Sequence, residues 1–436
     1  MNCLTLPVLL ALATAPAAVP DTLDLAELHR AALASDPRIQ QIELREQATE
    51  LRLRNLSVER LPRFSVTSEL AYQSEVATIP IDVAGAAVPV PPKGRYETAL
   101  GVDWLLHDSG LGARRAAARA ELAADRARVV AELYPLRAQV DDAFFTALLL
   151  QDRETEAALV VQDLQARLVE VRTGVVEGAA LPGDTAAVRA ELLRANQQLA
   201  ELGADRRAAI AILEGLTGFE IAPGTVLELP DLADAVDEAI ASAADPTSPT
   251  LAQHPQFDVL EAERARLSEE EGVIRSRSMP EASAFGRFAY GRPGLDQFTN
   301  DPREYWLAGV RVQWRPWDWG TRRRERQALQ IEQEILETQA ESLSDRLRRE
   351  VELPLESMER LEGVQATDDE IIALREQIVR QAELQFGERV ISVTDYVDAV
   401  TDLEAARVAR LIHRAELARA RAAYLTTLGI ELPLTP

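Results

Sequence analysis

The chain of 436 residues contains one cysteine, four histidines and only 5 % aromatic residues. A single cysteine excludes a scaffold held together by disulfide bonds. The four histidines lie far apart and lack the spacing to acidic or sulfur ligands that predicts a metal site. Glycine-rich phosphate loops, nucleophile motifs and clustered catalytic carboxylates are absent as well. We therefore expect no enzymatic activity, no cofactor and no bound metal.

Positive charge is also scarce. Acidic residues outnumber basic ones by 71 to 47, which gives a formal net charge of −24. A nucleic-acid partner requires a cationic surface that releases counterions, so the charge argues against this class of protein. We expect most of the excess acidic residues to lie on a solvated surface.

Long apolar runs are missing beyond the N-terminus. Residues 4–18 are apolar and end in small residues before Asp21, which is typical of a signal peptide, expected here at residues 1–18. No basic residue precedes the run, which departs from the usual pattern. After residue 18 no segment approaches the roughly 18 apolar residues of a membrane-spanning helix. The sequence predicts an exported protein without helical membrane spans.

An internal repeat is the most informative feature of the sequence. Pro62 and Pro280, each at the start of a β-like run, are 218 residues apart. A motif of tryptophan, aspartate and glycine then recurs at a separation of 210 residues. The second copy is therefore shorter in the loop between its two strands, where changes of length are tolerated. Its members are Trp104, Asp108 and Gly110 in the first copy and Trp314, Asp318 and Gly320 in the second. We expect these residues to form equivalent turns from a strand into a helix.

Each repeat predicts a helix, then two strands joined by a loop, and then two long helices. In the first repeat, residues 19–218, strands are expected at about 64–72 and 96–106, and long helices at about 108–172 and 184–216. In the second repeat, residues 219–436, strands are expected at about 282–290 and 305–315, and long helices at about 320–386 and 395–428. Pro135 and Pro354 predict a kink or a break in the two longest helices.

The predicted strands alternate between apolar and polar residues. They are about ten residues long, as a tilted transmembrane strand requires, and aromatic residues lie at their ends. An ordinary half-buried sheet is the alternative. If the strands span a membrane, four of them cannot close a barrel, so several chains must share one. The face expected to line its lumen carries Glu69, Glu97, Asp103, Arg287 and Arg311.

The helices have coiled-coil spacing. Apolar residues in the second helix of the first repeat follow steps of four and three, the rhythm of a coiled-coil seam. They are Val188, Leu192, Ala195, Leu199 and Leu202. Glycine, proline and a capping acid separate this helix from the preceding one. We expect two antiparallel coiled-coil hairpins per chain.

Together these features resemble the TolC family of outer-membrane efflux channels. The resemblance covers residues from about 20 to 436 and includes the WDWG turn at residues 317–320. It implies a mostly α-helical homotrimer whose twelve-stranded membrane β-barrel continues into an α-helical tunnel across the periplasm of a Gram-negative bacterium. It further implies passive export, with outer-membrane lipid around the barrel, and a periplasmic adaptor and an inner-membrane transporter as partners. The substrate stays open between drugs, metal ions and secreted proteins.

The resemblance also implies a gate at the periplasmic hairpin turns. Asp395 and Asp398 match the acidic pair of the family, but the associated glycine, Gly387, lies two residues further upstream than usual. In the first repeat Gly178 and Asp184 have the usual spacing, and alanine replaces the second acid. A carboxylate ring would attract cations. As an alternative for Asp395 and Asp184, an acid at a helix start caps the helix.

Two rival interpretations remain open, a periplasmic adaptor and a coiled-coil scaffold without a membrane barrel. The former combines a single hairpin with more β-structure, and the latter does not need aromatic strands. One further pattern has several explanations. Trp317 and Trp319 either anchor the chain at the periplasmic membrane interface or pack between chains. The arginine-rich run 321–326 that follows them is either a solvated face or a contact for lipid head groups or a neighbouring chain.

Overall fold

The computed structural model describes residues 22–76, 90–178, 180–222, 224–243, 253–292, 294, 301–388 and 390–432. The expected signal peptide, residues 1–18, lies outside the described residues.

The described chain is mostly helical and has four long strands, which confirms the expected fold class. Its strands are β1 (Thr22–Leu23), β2 (Arg63–Tyr72), β3 (Gly94–His107), β4 (Val226–Leu227), β5 (Glu281–Arg292) and β6 (Arg303–Gln313). Its helices are α1 (Leu25–Ser35), α2 (Gln40–Val58), α3 (Leu111–Leu133), α4 (Leu136–Val176), α5 (Pro182–Thr217), α6 (Ala233–Ala243), α7 (Pro255–Ser276), α8 (Thr321–Gly387) and α9 (Val393–Leu428). No helix in the described ranges is long and apolar enough to cross a membrane.

The chain forms two compact units, and each takes segments from both halves of the sequence. Among the described residues, the helical unit comprises those within 22–39, 132–254 and 344–432, and the sheet unit comprises those within 40–131 and 255–343. The division of the chain into repeats at residue 218 therefore describes the sequence rather than the packing, and it stays a prediction.

An antiparallel sheet in the order β2-β3-β5-β6 organises the sheet unit. Its register pairs Glu69 with Glu97 and Gly101 with Arg287. Because side chains alternate between the faces of a strand, this register places one set of charged residues on a single face. The set contains Glu69, Glu97, Asp103, Arg287 and Arg311. Strands β2 and β6 are the two edges and have no further strand beside them in the described chain.

The core of the helical unit lies among α1, α4, α5, α6 and α9. Phe144 is fully buried there and packs edge-to-face on Phe145, with their ring centroids 5.4 Å apart. The short parallel pair of β1 and β4 adds Leu23 and Leu227 to this core. Neither these two-residue strands nor α6 is predicted from the sequence. Strands of two residues have no alternating pattern to recognise.

The two interior prolines act differently. The helix expected over 108–172 ends at Leu133 and begins again at Leu136, on either side of Pro135. Tyr134 stabilises this break, since its hydroxyl donates to Thr426 O and its ring packs on His254. Pro354 lies inside α8, which continues from Thr321 to Gly387, so a break at this proline is wrong. An interior proline removes one helical hydrogen bond and can either kink or break a helix, and only the first of these two prolines breaks it here.

Candidate functional site

The turns of the two long hairpins meet in the helical unit. An apolar cluster of Leu168 and Val171 from α4, Val188 from α5 and Val393 from α9 packs the hairpin ends together. Beside it lies an open cavity of about 430 Å³. Its lining includes Gly178, Asp184, Gly387 and Ser392. The structure therefore brings together the predicted turn residues of both repeats.

Two of the three predicted gate acids cap the N-termini of the helices in which they lie. Asp395 Oδ2 accepts hydrogen bonds from Ser392 N at 2.9 Å and Ser392 Oγ at 2.7 Å, and Asp395 N donates to Ser392 Oγ at 3.2 Å. These hydrogen bonds from Ser392 hold the pKa of the Asp395 carboxyl below its usual value. Asp184 Oδ2 accepts from Leu181 N at 2.9 Å. Both acids are the third residue of a helix and satisfy backbone groups that the helix leaves free.

Asp398 differs from the other two acids. It lies one turn further along α9, is exposed, and makes no hydrogen bond or ion pair with any described residue. Its counterpart in the first repeat, Ala187, packs on the apolar cluster at the turn. Of the predicted gate acids, Asp398 is the one whose charge is left uncompensated.

The two turns also differ in their glycines. Gly178 follows the end of α4 and has a φ of +74°, a left-handed backbone conformation that glycine adopts freely. Gly387 is instead the last helical residue of α8. The upstream shift of this glycine in the sequence thus corresponds to a different way of ending the helix.

Arg167, which the sequence reasoning missed, ties α4 to α8 and α9 just before the turns. It is buried, donates to Tyr396 Oη at 2.7 Å, and pairs with Glu383 at 3.1 Å and Glu170 at 2.7 Å. Its guanidinium lies 4.3 Å from the centroid of the Tyr396 ring, which stacks on Phe386. A basic residue on the apolar side of a coiled-coil helix was the available signal.

Opposing effects act on the ionisation of this cluster. Burial alone would lower the pKa of Arg167, but Tyr396 and the two carboxylates raise it above its usual value. Burial raises the pKa of the Tyr396 phenol, so the hydroxyl stays protonated and donates to Asp163 Oδ2 at 3.4 Å. The guanidinium of Arg167 therefore stays charged where the hairpins pack together.

The repeated motif forms equivalent strand-to-helix turns in the sheet unit. Trp104 Nε1 donates to Arg60 O at 2.9 Å, and Trp314 Nε1 donates to Ser278 O at 3.0 Å. Within each turn the motif aspartate accepts a hydrogen bond from the backbone N–H of the motif glycine. Asp108 accepts from Gly110 N at 2.7 Å, and Asp318 accepts from Gly320 N at 3.1 Å.

The glycines of these turns meet different requirements. A Cβ atom at Gly110 would lie 2.9 Å from Ser276 Oγ, whereas Gly320 has a φ of +77°. Trp319, just before Gly320, also has a left-handed backbone, with φ of 55°. This conformation is costly for a residue with a bulky side chain.

The apolar face of the sheet is bounded by aromatic residues. Strands β2 and β3 each carry an aromatic pair eight residues apart, and a third such pair joins β6 to Trp314, the residue that follows it. Eight residues span about 26 Å at the usual rise of about 3.3 Å per residue. The pairs are Phe64 and Tyr72, Tyr96 and Trp104, and Trp306 and Trp314. Apolar side chains between them are strongly exposed, for example Leu70 at 86 % and Val310 at 66 %. Such a surface is unusual for a protein facing water.

The opposite face is lined by charges that pair with one another. Glu97 accepts hydrogen bonds from Arg287 and, at 2.5 Å, from the Tyr305 hydroxyl. Arg95 pairs with Glu69 at 2.6 Å. The described residues contain no group of three or more histidine, cysteine or acidic side chains that could hold a metal ion.

Comparisons with known proteins identify the fold. No family model matches the sequence, and no curated protein matches it either. Among solved structures the chain is similar to CusC, with 16 % identity, 93 % of this chain and 92 % of that chain covered, and a TM-score of 0.66. It is also similar to the CmeC outer-membrane channel of Campylobacter jejuni, with 14 % identity, coverages of 93 % and 85 %, and a TM-score of 0.62. For the MtrE outer-membrane channel of Neisseria gonorrhoeae the identity is 17 %, the coverages are 93 % and 89 %, and the TM-score is 0.62.

The chain has the fold of the TolC-family outer-membrane channels. The fold that the resemblance implies for a single chain is thus confirmed, and the proteins that share it are channels rather than enzymes. In this fold the predicted site residues form two groups, one on the sheet and its turns and one at the hairpin ends.

Proposed function

We propose that this chain is one subunit of a trimeric outer-membrane channel that passes substrates from the periplasm to the outside. The observation that carries the proposal is the exposed apolar face of the sheet, bounded at both ends by aromatic residues about 26 Å apart along the strands. An outward apolar band of about 25 Å between aromatic girdles is the surface of a membrane β-barrel. The hydrocarbon of the outer membrane would cover it.

The free edges of the sheet support the trimer. Strands β2 and β6 present unpaired backbone N–H and C=O groups, which are prohibitively unstable in lipid. Pairing β6 of one subunit with β2 of the next removes every edge, and twelve strands from three subunits enclose a lumen wide enough for solutes. The charged face with Glu97 and Arg287 would line that lumen, where water solvates it.

The hairpin ends support a gate at the periplasmic end. In a trimer the exposed Asp398 side chains would form a ring of three carboxylates, which attracts cations and resists close approach. The cluster around Arg167 would hold the hairpins of each subunit together in the narrow state. A periplasmic adaptor would open this end by loosening that packing, and an inner-membrane transporter would deliver the substrate. The channel itself would supply no energy.

Fractionation and electrophoresis test the proposal. The full-length chain, expressed with its own N-terminus in a Gram-negative host, should be found in the outer-membrane fraction. Without heating it should migrate as a trimer, and after heating as a monomer. The purified trimer should conduct ions across a planar bilayer. Recovery of a monomer from the soluble periplasm would refute the channel and favour a coiled-coil scaffold, and recovery with the inner membrane would favour an adaptor.

A further inference from the structure

The turn that follows β6 exposes two tryptophans side by side. Trp317 is 73 % exposed and Trp319 is 82 % exposed, and their rings meet edge-to-face with centroids 5.9 Å apart. Trp319 is moreover held in a left-handed backbone conformation. Burial in this chain does not explain either side chain, although an exposed indole is unfavourable in water.

The equivalent turn after β3 shows that the fold does not require these residues. There His107 and Ser109 occupy the positions of Trp317 and Trp319. The turn nevertheless keeps the indole hydrogen bond to the backbone and the bond from the motif glycine to the motif aspartate. Since both turns keep these two hydrogen bonds, neither bond requires a tryptophan at position 317 or 319.

Two arginines beside the tryptophans have no acidic partner among the described residues. Arg324 donates only to neutral oxygens, Trp319 O at 3.1 Å and Thr321 Oγ1 at 3.4 Å. Arg323 is exposed and makes no hydrogen bond or ion pair with the part of the chain that the structure describes. Neighbouring arginines behave differently, since Arg322 pairs with Asp318 at 2.7 Å and Arg326 with Glu271 at 3.0 Å. These two guanidinium groups are therefore available to an anionic ligand, as other arginines without an acidic partner also are, and the tryptophans beside them are what distinguishes this turn.

The position of the turn indicates which anion. It follows shortly after Trp314, the first residue beyond β6 and the last of the outward aromatic row. In the proposed channel this is where the apolar band meets water, the depth of the phospholipid head groups. Indoles favour this depth because they are apolar with one polar N–H, and guanidinium groups bind phosphate through paired hydrogen bonds.

We propose that Trp317, Trp319, Arg323 and Arg324 form a binding site for the head group of an anionic phospholipid such as phosphatidylglycerol. The site rests on the proposed function, because it requires the turn to lie at a membrane surface. The arginines bind the phosphate, and the indoles insert between the head group and the acyl chains. The surface thereby anchors each subunit at a fixed depth through its second repeat alone.

Lipid binding to the purified protein in a neutral detergent tests the site. The probes are fluorescent short-chain phosphatidylglycerol and phosphatidylcholine, titrated at low salt and followed by anisotropy. An arginine near an anionic membrane surface contributes about a fivefold preference, so we expect phosphatidylglycerol to bind about 25-fold more tightly. Arg323→Gln combined with Arg324→Gln should abolish this preference. Arg54→Gln combined with Arg264→Gln, which removes two exposed charges from α2 and α7, should keep it.

A second pair of variants tests the indoles. Trp317→His combined with Trp319→Ser copies the first repeat, so the turn should still form. We expect this variant to bind both lipids several-fold more weakly while the preference for phosphatidylglycerol remains. Excess inorganic phosphate should displace the lipid only weakly, because it offers nothing to the indoles.

Several results would overturn the site. They are equal binding of both lipids by the unchanged chain, loss of the preference in the Arg54 and Arg264 control, and full displacement by inorganic phosphate. Loss of the trimer in the Arg323 and Arg324 variant with an unchanged lipid preference would assign these arginines to a neighbouring subunit. Fractionation of the same preparations separates this failure from that of the channel, since a protein that is absent from the outer membrane refutes the channel itself.

Discussion

Tyr396→Phe removes a single oxygen from the buried cluster that joins the hairpins. Phenylalanine keeps the ring, so the stacking on Phe386 and the contact with the guanidinium of Arg167 remain. The hydrogen bond from Arg167 and the weaker one to Asp163 are lost. A hydrogen bond to a charged group contributes about 1.5–3 kcal/mol. Because Arg167 keeps Glu383 and Glu170, we expect a cost near the lower limit, about 1.5 kcal/mol.

Hydrogen exchange at the start of α9 measures this loss. Amides there exchange when the turn opens locally, so their rates report the free energy that holds the hairpins together. A loss of about 1.5 kcal/mol corresponds to roughly tenfold faster exchange of the hydrogen-bonded amides from Asp395 onward. Arg167→Met should have a larger effect, because it also removes the cation–π contact. The lost ion pairs of Arg167 add little to the larger effect of this variant, since the side chains of Glu170 and Glu383 are 56 % and 57 % exposed.

A matched control and a double variant make the experiment decisive. Tyr424 lies in the same helix and is buried, and its hydroxyl makes no hydrogen bond to the described residues, so Tyr424→Phe should leave exchange unchanged. Arg167→Met combined with Tyr396→Phe should exchange more slowly than the sum of the two single effects predicts, because both remove the same bond. Unchanged exchange in Tyr396→Phe, or full additivity in the double variant, would refute the coupling.

Three further predictions separate the roles of the other site residues. Asp398→Asn should reduce cation selectivity in planar bilayers, measured as the reversal potential in a salt gradient, whereas Asp395→Asn should loosen the start of α9. Hydrogen bonds at this helix start lower the pKa of the Asp395 carboxyl below its usual value of 3.8. The stability that the carboxylate gives to the start of α9 should therefore persist above pH 3.8 and decline as the pH falls below it. Hydrogen exchange, corrected for the effect of pH on the intrinsic rate, measures this decline. Val310→Arg should cost about 2–4 kcal/mol of membrane stability and deplete the trimer from the outer membrane, whereas Leu307→Arg, on the opposite face of β6, should be tolerated. Gly320→Ala should destabilise the turn by about 1 kcal/mol because of its left-handed backbone, and lower the temperature at which the trimer dissociates.

The sheet could be predicted from the sequence because one local rule determines each of its faces. Alternation assigns Val66 and Val310 to the apolar face and Glu97 and Arg287 to the other, and the repeat aligns the two pairs of strands. The turns were predictable for the same reason, since their hydrogen bonds join residues two positions apart, such as Asp108 and Gly110. Local patterns suffice where the contacts are local.

The hairpin ends could not be predicted in the same way. Arg167 and Tyr396 are 229 residues apart in the chain, and no spacing rule connects them. Their contact depends on how α4 packs against α9, which the apolar periodicity of each helix does not specify. The two roles considered for Asp395 had the same sequence pattern too, and only the hydrogen bonds with Ser392 distinguish a cap from a free carboxylate.

Comparing the repeats distinguishes the acids that cap helices from the acid with a proposed role in the gate. Asp184 and Asp395 fasten equivalent helix starts, so both copies retain them. One turn further along the copies differ, with Ala187 packed on the apolar cluster in the first and the exposed Asp398 in the second. If both copies carried the acid, a trimer would gather six carboxylates at its narrow end, and their mutual repulsion would oppose closure. In the proposed trimer an acid in the second copy alone would give three carboxylates, which would repel one another less than six and still attract cations.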